Sequence, residues 1–258
     1  MDMMIVLSLI FAFVALILAF LLEGGAITAL FQLTAAIIVF GGTFGALGIS
    51  FPGNVLKKFP KVMSIAFKKR KNNMEENLLF FKDISTRTRK DGLLSLEREV
   101  SKNSDLDPFI KKGLQLAIDG VEQSSIKSIL ETKLEQMSER HQVGIEMFSA
   151  AGGYAPTMGI IGTVMGLIQV VSNLNDPTVL GPKIAAAFIA TLYGILSANI
   201  FWLPIANKLK VLDMEEYNEK EMIIQAIVLI QQGTNPNTLV SKLEGFLTDK
   251  QSKLLEGE

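Results

Sequence analysis

The sequence predicts an all-α, polytopic membrane protein with four transmembrane helices and a helical cytoplasmic domain. Three observations carry that expectation. Apolar residues fill 49% of the 258 positions, and the mean hydropathy is +0.35. They are clumped into four long uncharged runs separated by charged stretches, as expected when part of a chain faces lipid and part faces water. Outside those runs apolar residues recur every three to four positions, and no stretch alternates as a half-buried strand would. The net charge of −1 hides this segregation and gives no reason to expect nucleic-acid binding.

The four candidate spans cover residues 4–22, 26–50, 146–172 and 184–206. At about 1.5 Å per helical residue, each is long enough for a hydrocarbon core of about 30 Å. None has Asp, Glu, Lys, Arg or His in its interior. The first run follows Met-Asp-Met-Met, with no basic residue ahead of it and no small-x-small cleavage site behind it. It therefore reads as a retained membrane helix rather than a secretory signal.

Basic residues set the expected orientation. Lys57, Lys58, Lys61, Lys68, Lys69, Arg70 and Lys71 follow the second span, and Lys208 and Lys210 follow the fourth. The links Glu23-Gly24-Gly25 and 173–183 carry almost no positive charge. The positive-inside rule then places both termini and the long middle segment in the cytoplasm of a cell (inner) membrane protein. The expected organisation is spans one and two in 1–50, a cytoplasmic helical domain in 51–145, spans three and four in 146–206, and a cytoplasmic helical tail in 207–258.

Within the cytoplasmic material, Ile126, Leu130, Leu134, Met137, His141, Ile145 and Phe148 form one helical stripe. No proline interrupts it before the third span, so that helix should continue from cytoplasm into membrane. Asp119-Gly120 is the expected turn before it, and an earlier helix should begin near Asp107-Pro108. A further helix should run from span four through Glu215 and Glu216 to Gly233. Asn235-Pro236 should open a short closing helix holding Leu239, Leu243 and Phe246.

Span three carries Gly152, Pro156, Gly159, Thr163 and Gly166 on one face, and span four carries Ala187, Thr191, Gly194 and Ala198 at the same rhythm. Small residues in rows let membrane helices approach closely. Two readings stay open: the two spans pack on each other, or both faces surround a partner helix or narrow path. Pro156 and Pro204 each remove a backbone hydrogen bond and should kink their helices, as static bends or as hinges.

Several functions are excluded. Without cysteine there is no disulfide, thiolate catalysis or cysteine metal site, and the single histidine, His141, cannot make a histidine-rich metal centre. His141 reads as a packed member of the stripe. No nucleophile, base and oxyanion set suggests an enzyme, and no cofactor is expected. Ion-driven machines need a titratable group inside the membrane. The spans supply none, so any ion-driven reading requires a carboxylate from a second polypeptide.

One stretch carries a resemblance. Gly153-Tyr154-Ala155-Pro156-Thr157-Met158-Gly159-Ile160-Ile161-Gly162-Thr163-Val164-Met165-Gly166-Leu167 continues through Asn175-Asp176-Pro177 to Ala190-Thr191-Leu192-Tyr193-Gly194 and Trp202-Leu203-Pro204-Ile205-Ala206. With Gly41-Gly42-Thr43-Phe44-Gly45-Ala46 and Glu139-Arg140-His141, it resembles the MotA/PomA family of flagellar stator proteins, with the ExbB/TolQ proteins as more distant kin. The resemblance implies a pentamer around a dimer of MotB (or PomB), whose membrane aspartate carries the ion. It also implies cytoplasmic charges that push on the rotor protein FliG. It matches Thr163 and Thr191 to the ion path, and Pro156 and Pro204 to conserved hinge prolines. Arg89 and Glu97 match the rotor-contacting pair, with Lys90, Asp91, Arg98 and Glu99 sharing the role. The coupling ion stays open between H+ and Na+, with protons slightly favoured. An ExbB/TolQ-like energiser and a membrane scaffold without transport remain the alternative readings.

Overall fold

The computed structural model describes residues 2–71, 73–97, 100, 106–248 and 251. Every regular element among them is helical, and four helices are long and apolar enough to cross a membrane. The chain divides into two compact units, Met1–Lys69 with His141–Val211, and Arg70–Arg140 with Leu212–Glu258. The first unit thus keeps residues 51–69 with the spans.

In the first unit, α1 (Met3–Leu22) has no glycine, proline or charge in its 20 residues. Asp2 caps it, accepting the Met4 N–H at 3.2 Å, and Gly24 ends the following turn at φ +81°. None of its residues is buried.

The second span is less regular than its sequence suggested. A 3-10 turn (Ile27–Leu30) leads to extended backbone at Phe31 and Gln32. Only then do α2 (Leu33–Ala36), a π segment (Ile37–Gly41) and α3 (Gly42–Ser50) follow as one rod. Two short helices, α4 (Gly53–Leu56) and α5 (Phe59–Ala66), come next. They turn Val55, Leu56, Phe59, Val62 and Met63 toward the unit's core and leave Lys57, Lys58 and Lys61 exposed.

The second unit opens with α6 (Met74–Asp91), whose first turn holds Glu75 and Glu76 and whose last holds Arg89 and Lys90. That arrangement complements the helix dipole at both ends. The 3-10 turn Leu93–Leu96 and α7 (Pro108–Ile118) follow; Asp107 caps α7 by accepting the Phe109 N–H at 2.7 Å. Gly120 then turns at φ +72°, as the Asp-Gly pair suggested.

Helix α8 (Gln123–Val171) is 49 residues long and contributes to both units. The predicted stripe is its buried side: Ile126, Leu130, Leu134, Ile145 and Phe148 are buried, while Met137 and His141 are half-buried. Helix α9 (Pro177–Leu196) begins seven residues before the expected start of span four. Asp176 accepts the Thr178 N–H at 3.1 Å and Pro177 sits at the first helical position, a start signal that outweighs Gly181 and Pro182. A π segment (Ser197–Trp202) joins α9 to α10 (Leu203–Gln231), and α11 (Pro236–Leu243) closes the fold.

Phe81, Leu78 and Ile84 of α6, Leu114 of α7, Leu130 of α8, Met222 and Ile227 of α10, and Leu239 of α11 make the core of the second unit. Lys220 is buried there and bonds Asp107 at 2.5 Å, while Glu219 accepts from Arg70 at 2.5 Å and from Asn77 at 3.1 Å. The first unit has a small core of Val39, Leu47, Phe148, Ala155, Trp202 and Ile205 and a broad apolar exterior. Phe11 is 76% exposed and Leu22 80%. So much exposed apolar surface, far beyond what soluble proteins carry, requires lipid or partner helices.

Candidate functional site

The site is built where α8 and α9 run against each other in the first unit. The two small-residue faces read from the sequence meet each other. A Cβ added to Gly159 would lie 2.9 Å from the Ala190 carbonyl oxygen, and one added to Gly194 would lie 2.6 Å from that of Ala155. One added to Gly166 would lie 2.5 Å from the Ala187 Cβ. These approaches tolerate no side chain larger than hydrogen, so glycine is required by backbone proximity at these positions.

Thr163 and Thr191 stand in this seam, both half-buried. The Thr163 Oγ lies 2.9 Å from the Ala187 carbonyl and 3.2 Å from that of its own helix at Gly159. It also hydrogen-bonds the Thr191 hydroxyl, whose distance to the Gly159 carbonyl is 3.4 Å. Each hydroxyl has one proton. Two arrangements satisfy both: Thr191 donating to Thr163 with Thr163 donating to Ala187, or Thr163 donating to Thr191 with Thr191 donating to Gly159. The seam thus holds a short, rearrangeable chain of hydroxyls flanked by carbonyl oxygens.

Pro156 lies inside α8, which continues through it as one α-helix. Pro204 is the second residue of α10, directly after the π segment. It offers no N–H to the Ile200 carbonyl, and its ring would crowd that carbonyl in a regular turn. Widening the preceding turn is the local adjustment that a membrane helix makes at such a ring.

Tyr193 has a role that the sequence reading did not assign. Its hydroxyl donates to the Leu30 carbonyl at 2.5 Å and accepts the Gln32 N–H at 3.2 Å. It thereby satisfies the backbone where the second span leaves helical geometry, which hydrocarbon would otherwise penalise by several kcal/mol per group. The available signal was a tyrosine in the middle of a span, away from the interface where aromatic hydroxyls collect. At the far end of the same spans, Phe59 and Phe148 stack at 4.6 Å, and Phe44 and Trp202 meet edge-on at 6.0 Å.

The charged residues matched to the rotor lie in the second unit. Arg89 and Lys90 are exposed on the last turn of α6, and Glu97 is exposed just beyond the Leu93–Leu96 turn. Gly92 joins the two pieces at φ +79° and ψ 167°, a conformation reserved for glycine. Arg98 and Glu99 lie outside the described residues.

At the ends of the spans, the Lys208 hydrogen bond holds the Asp2 carboxyl below the usual carboxylate range, and the pair lies at 3.0 Å. The Thr178 hydroxyl and N–H do the same for Asp176. No group of three or more His, Cys, Asp or Glu able to hold a metal occurs among the described residues.

Comparison with known proteins extends these observations. Residues 6–92 match the family model of the motility protein A N-terminal region, and residues 101–222 match that of the MotA/TolQ/ExbB proton channel family. The chain is 42% identical to the YtxD protein of Bacillus subtilis over 83% of its own length and 78% of the relative's. It is 37% identical to motility protein A of the same organism over 97% and 92% of the two chains. The solved flagellar MotAB stator complex of Bacillus subtilis contains a chain that superposes with a TM-score of 0.89 at 37% identity, covering 96% of this chain and 97% of that one. With four membrane-length helices, the glycine seam and these matches over nearly its whole length, the chain belongs to the MotA/PomA family of flagellar motor stator proteins, a family of multi-pass, non-enzymatic ion-channel components.

Proposed function

We propose that this chain works as the stator subunit that surrounds a MotB-type single-span partner and converts ion passage into rotation of the flagellar rotor. One observation carries the reading. No Asp or Glu occurs in residues 3–22, 27–50, 147–171 or 177–212, so the spans offer a conducting ion no carboxylate of their own. A charge crossing the bilayer must be neutralised by a titratable group. A second polypeptide supplies it, in keeping with the solved relative, which is a MotAB complex.

The Thr163–Thr191 pair is the ion-path element. When the partner's carboxylate binds or releases its ion, it exchanges hydrogen bonds with this pair, and the two arrangements favour different packings of α8 on α9. Each elementary charge moved through 100 mV delivers about 2.3 kcal/mol, enough to shift such an equilibrium more than tenfold. Pro156 and Pro204 are the hinges of this reading, since each removes one backbone hydrogen bond from its helix, and α8 and α10 both contribute residues to the second unit. There Arg89, Lys90, Glu97 and Arg98 engage FliG, with both termini in the cytoplasm. A pentamer around a MotB dimer is the assembly that the family resemblance supports, with H+ slightly favoured over Na+ as coupling ion.

The test is restoration of swimming in a host without its own stator by co-expression of this chain with its MotB-type partner. Torque should fall on reversal of Arg89 or Glu97 and recover with opposite reversals on FliG. Torque unaffected by either reversal contradicts the assigned rotor contact. Swimming speed that follows sodium concentration, and not an uncoupler, would assign Na+ instead of H+.

A further inference from the structure

A cleft on the first unit, separate from the α8–α9 seam, carries a second binding assignment. It lies between α1 and the π segment with the start of α10 and has a volume of about 360 Å³. Its walls are mainly apolar, with Ile5, Leu9 and Ala12 on one side and Ile200, Pro204 and Ile205 on the other; Ser8 and Asn199 are the polar wall residues. Its mouth is charged. Lys208 and Asp2 pair there at 3.0 Å, the Asp2 N–H is anchored to the Phe67 carbonyl at 2.8 Å, and Lys69 lies close enough to act on the Asp2 carboxylate. Lys68 and Lys69 follow Phe67 in sequence and are exposed, and Lys208 is half-buried.

The dimensions choose the occupant. From Asp2 to Ala12 the helix rises about 15 Å, half of a hydrocarbon core of about 30 Å and therefore the depth of one leaflet. Spread over that length, 360 Å³ gives a cross-section of roughly 24 Å², room for a hydrocarbon chain but not for a helix of about 10 Å diameter. An apolar slot one leaflet deep, opening on lysines, has the chemistry of an acyl chain capped by an anionic headgroup.

We propose that this cleft is a binding site for an anionic phospholipid, with one acyl chain between α1 and the π segment and the phosphate on Lys208 and Lys69. Asp2 competes with the phosphate for Lys208 and sets the affinity of the site. The bound chain touches Pro204 and Ile200, so occupancy braces the widened turn of span four.

The single tryptophan, Trp202, is buried in the first unit's core and does not line the cleft, so a reporter is placed on the cleft wall as Ser8→Trp in a Trp202→Phe background. The full-length chain is reconstituted in phosphatidylcholine vesicles containing rising fractions of phosphatidylglycerol with brominated acyl chains, which quench tryptophan at short range. Brominated phosphatidylcholine serves as the comparison. Phosphatidylglycerol should quench at the lower mole fraction, and Lys208→Gln should reduce that preference about fivefold. Ala12→Phe, which fills the slot and leaves the lysines in place, should remove saturable quenching. Asp2→Asn should strengthen binding of phosphatidylglycerol, an outcome that a misfolded variant would not give. Equal quenching by the two lipids, or a preference that survives Lys208→Gln, overturns the assignment.

Discussion

The hydroxyl of Thr163 on α8 lies 2.9 Å from the backbone carbonyl of Ala187 on α9 and hydrogen-bonds the Thr191 hydroxyl, which itself lies 3.4 Å from the Gly159 carbonyl. The pair forms a relay whose last acceptor is a carbonyl that cannot itself give up a proton. Replacing Thr191 with isoleucine removes one of the two hydroxyls and fills the seam. Ion-driven motility should fall at least about tenfold, the equivalent of losing one charge-assisted hydrogen bond. Thr191→Ser should retain most of it. Swimming speed, read beside co-purification of the partner, checks both; unaltered swimming in Thr191→Ile removes the threonine from the ion path.

Gly194 packs its Cα against Gly159 and Pro156. A valine there must push α9 away from α8, because its Cβ alone would sit 2.6 Å from the Ala155 carbonyl. The cost of such overpacking is about 1–3 kcal/mol. Thermal unfolding in detergent should show a lowered midpoint for Gly194→Val, and no change for Gly181→Ala, whose added Cβ meets nothing within 4 Å.

These helices were legible in the sequence because lipid imposes a simple demand: about twenty apolar residues per crossing. The stripe from Ile126 to Phe148 and the Asp119-Gly120 turn followed equally directly from helical periodicity and glycine's access to positive φ. The small-residue faces were legible as faces, but not which surface would cover them. A row of glycines specifies close approach and not the identity of the neighbour, and the structure shows each span covering the other. The early start of α9 was missed because Gly181, Pro182 and Lys183 read as a link, while the Asp176-Pro177 start signal puts the first helical residue seven positions before Ile184. The break at Phe31 and Gln32 was invisible to hydropathy, since both sides of it are apolar.

That break gives a third prediction. Tyr193→Phe keeps the ring and removes the oxygen that serves Leu30 and Gln32. Two backbone groups then lose their partner in a low-dielectric setting, a cost of about 1–3 kcal/mol for each unsatisfied group. Amide exchange at Gln32 should quicken by at least about tenfold, the factor equivalent to roughly 1.4 kcal/mol. Protection equal to wild type contradicts the bridging role.

In the second unit, burial raises the Asp107 carboxyl, but the Lys220 hydrogen bond and charge, with the Phe109 and Ile110 N–H groups, outweigh it and hold the group below the ordinary carboxylate range. A carboxylate depressed in the folded state binds its proton more readily when unfolded. Its contribution is therefore present above the unfolded pKa of about 3.9 and is lost as pH falls through the lower folded value. Asp107→Asn should destabilise the protein at pH 7 by roughly 1–3 kcal/mol, because the buried Lys220 ammonium loses its partner. The difference from wild type should shrink below pH 4. Unfolding followed across that range checks it, and a difference constant with pH sinks the pair's assigned role.

In the proposed function, charge crosses the bilayer on a carboxylate that this chain does not own. Vesicles holding this chain alone, its MotB-type partner alone, or both should be loaded with a pH or Na+ gradient and followed by an internal dye. Dissipation is expected only where both are present, and it should vanish when the partner's membrane aspartate becomes asparagine. A chain that collapses the gradient by itself, at the rate of the mixed assembly, contradicts a carboxylate borrowed from the partner.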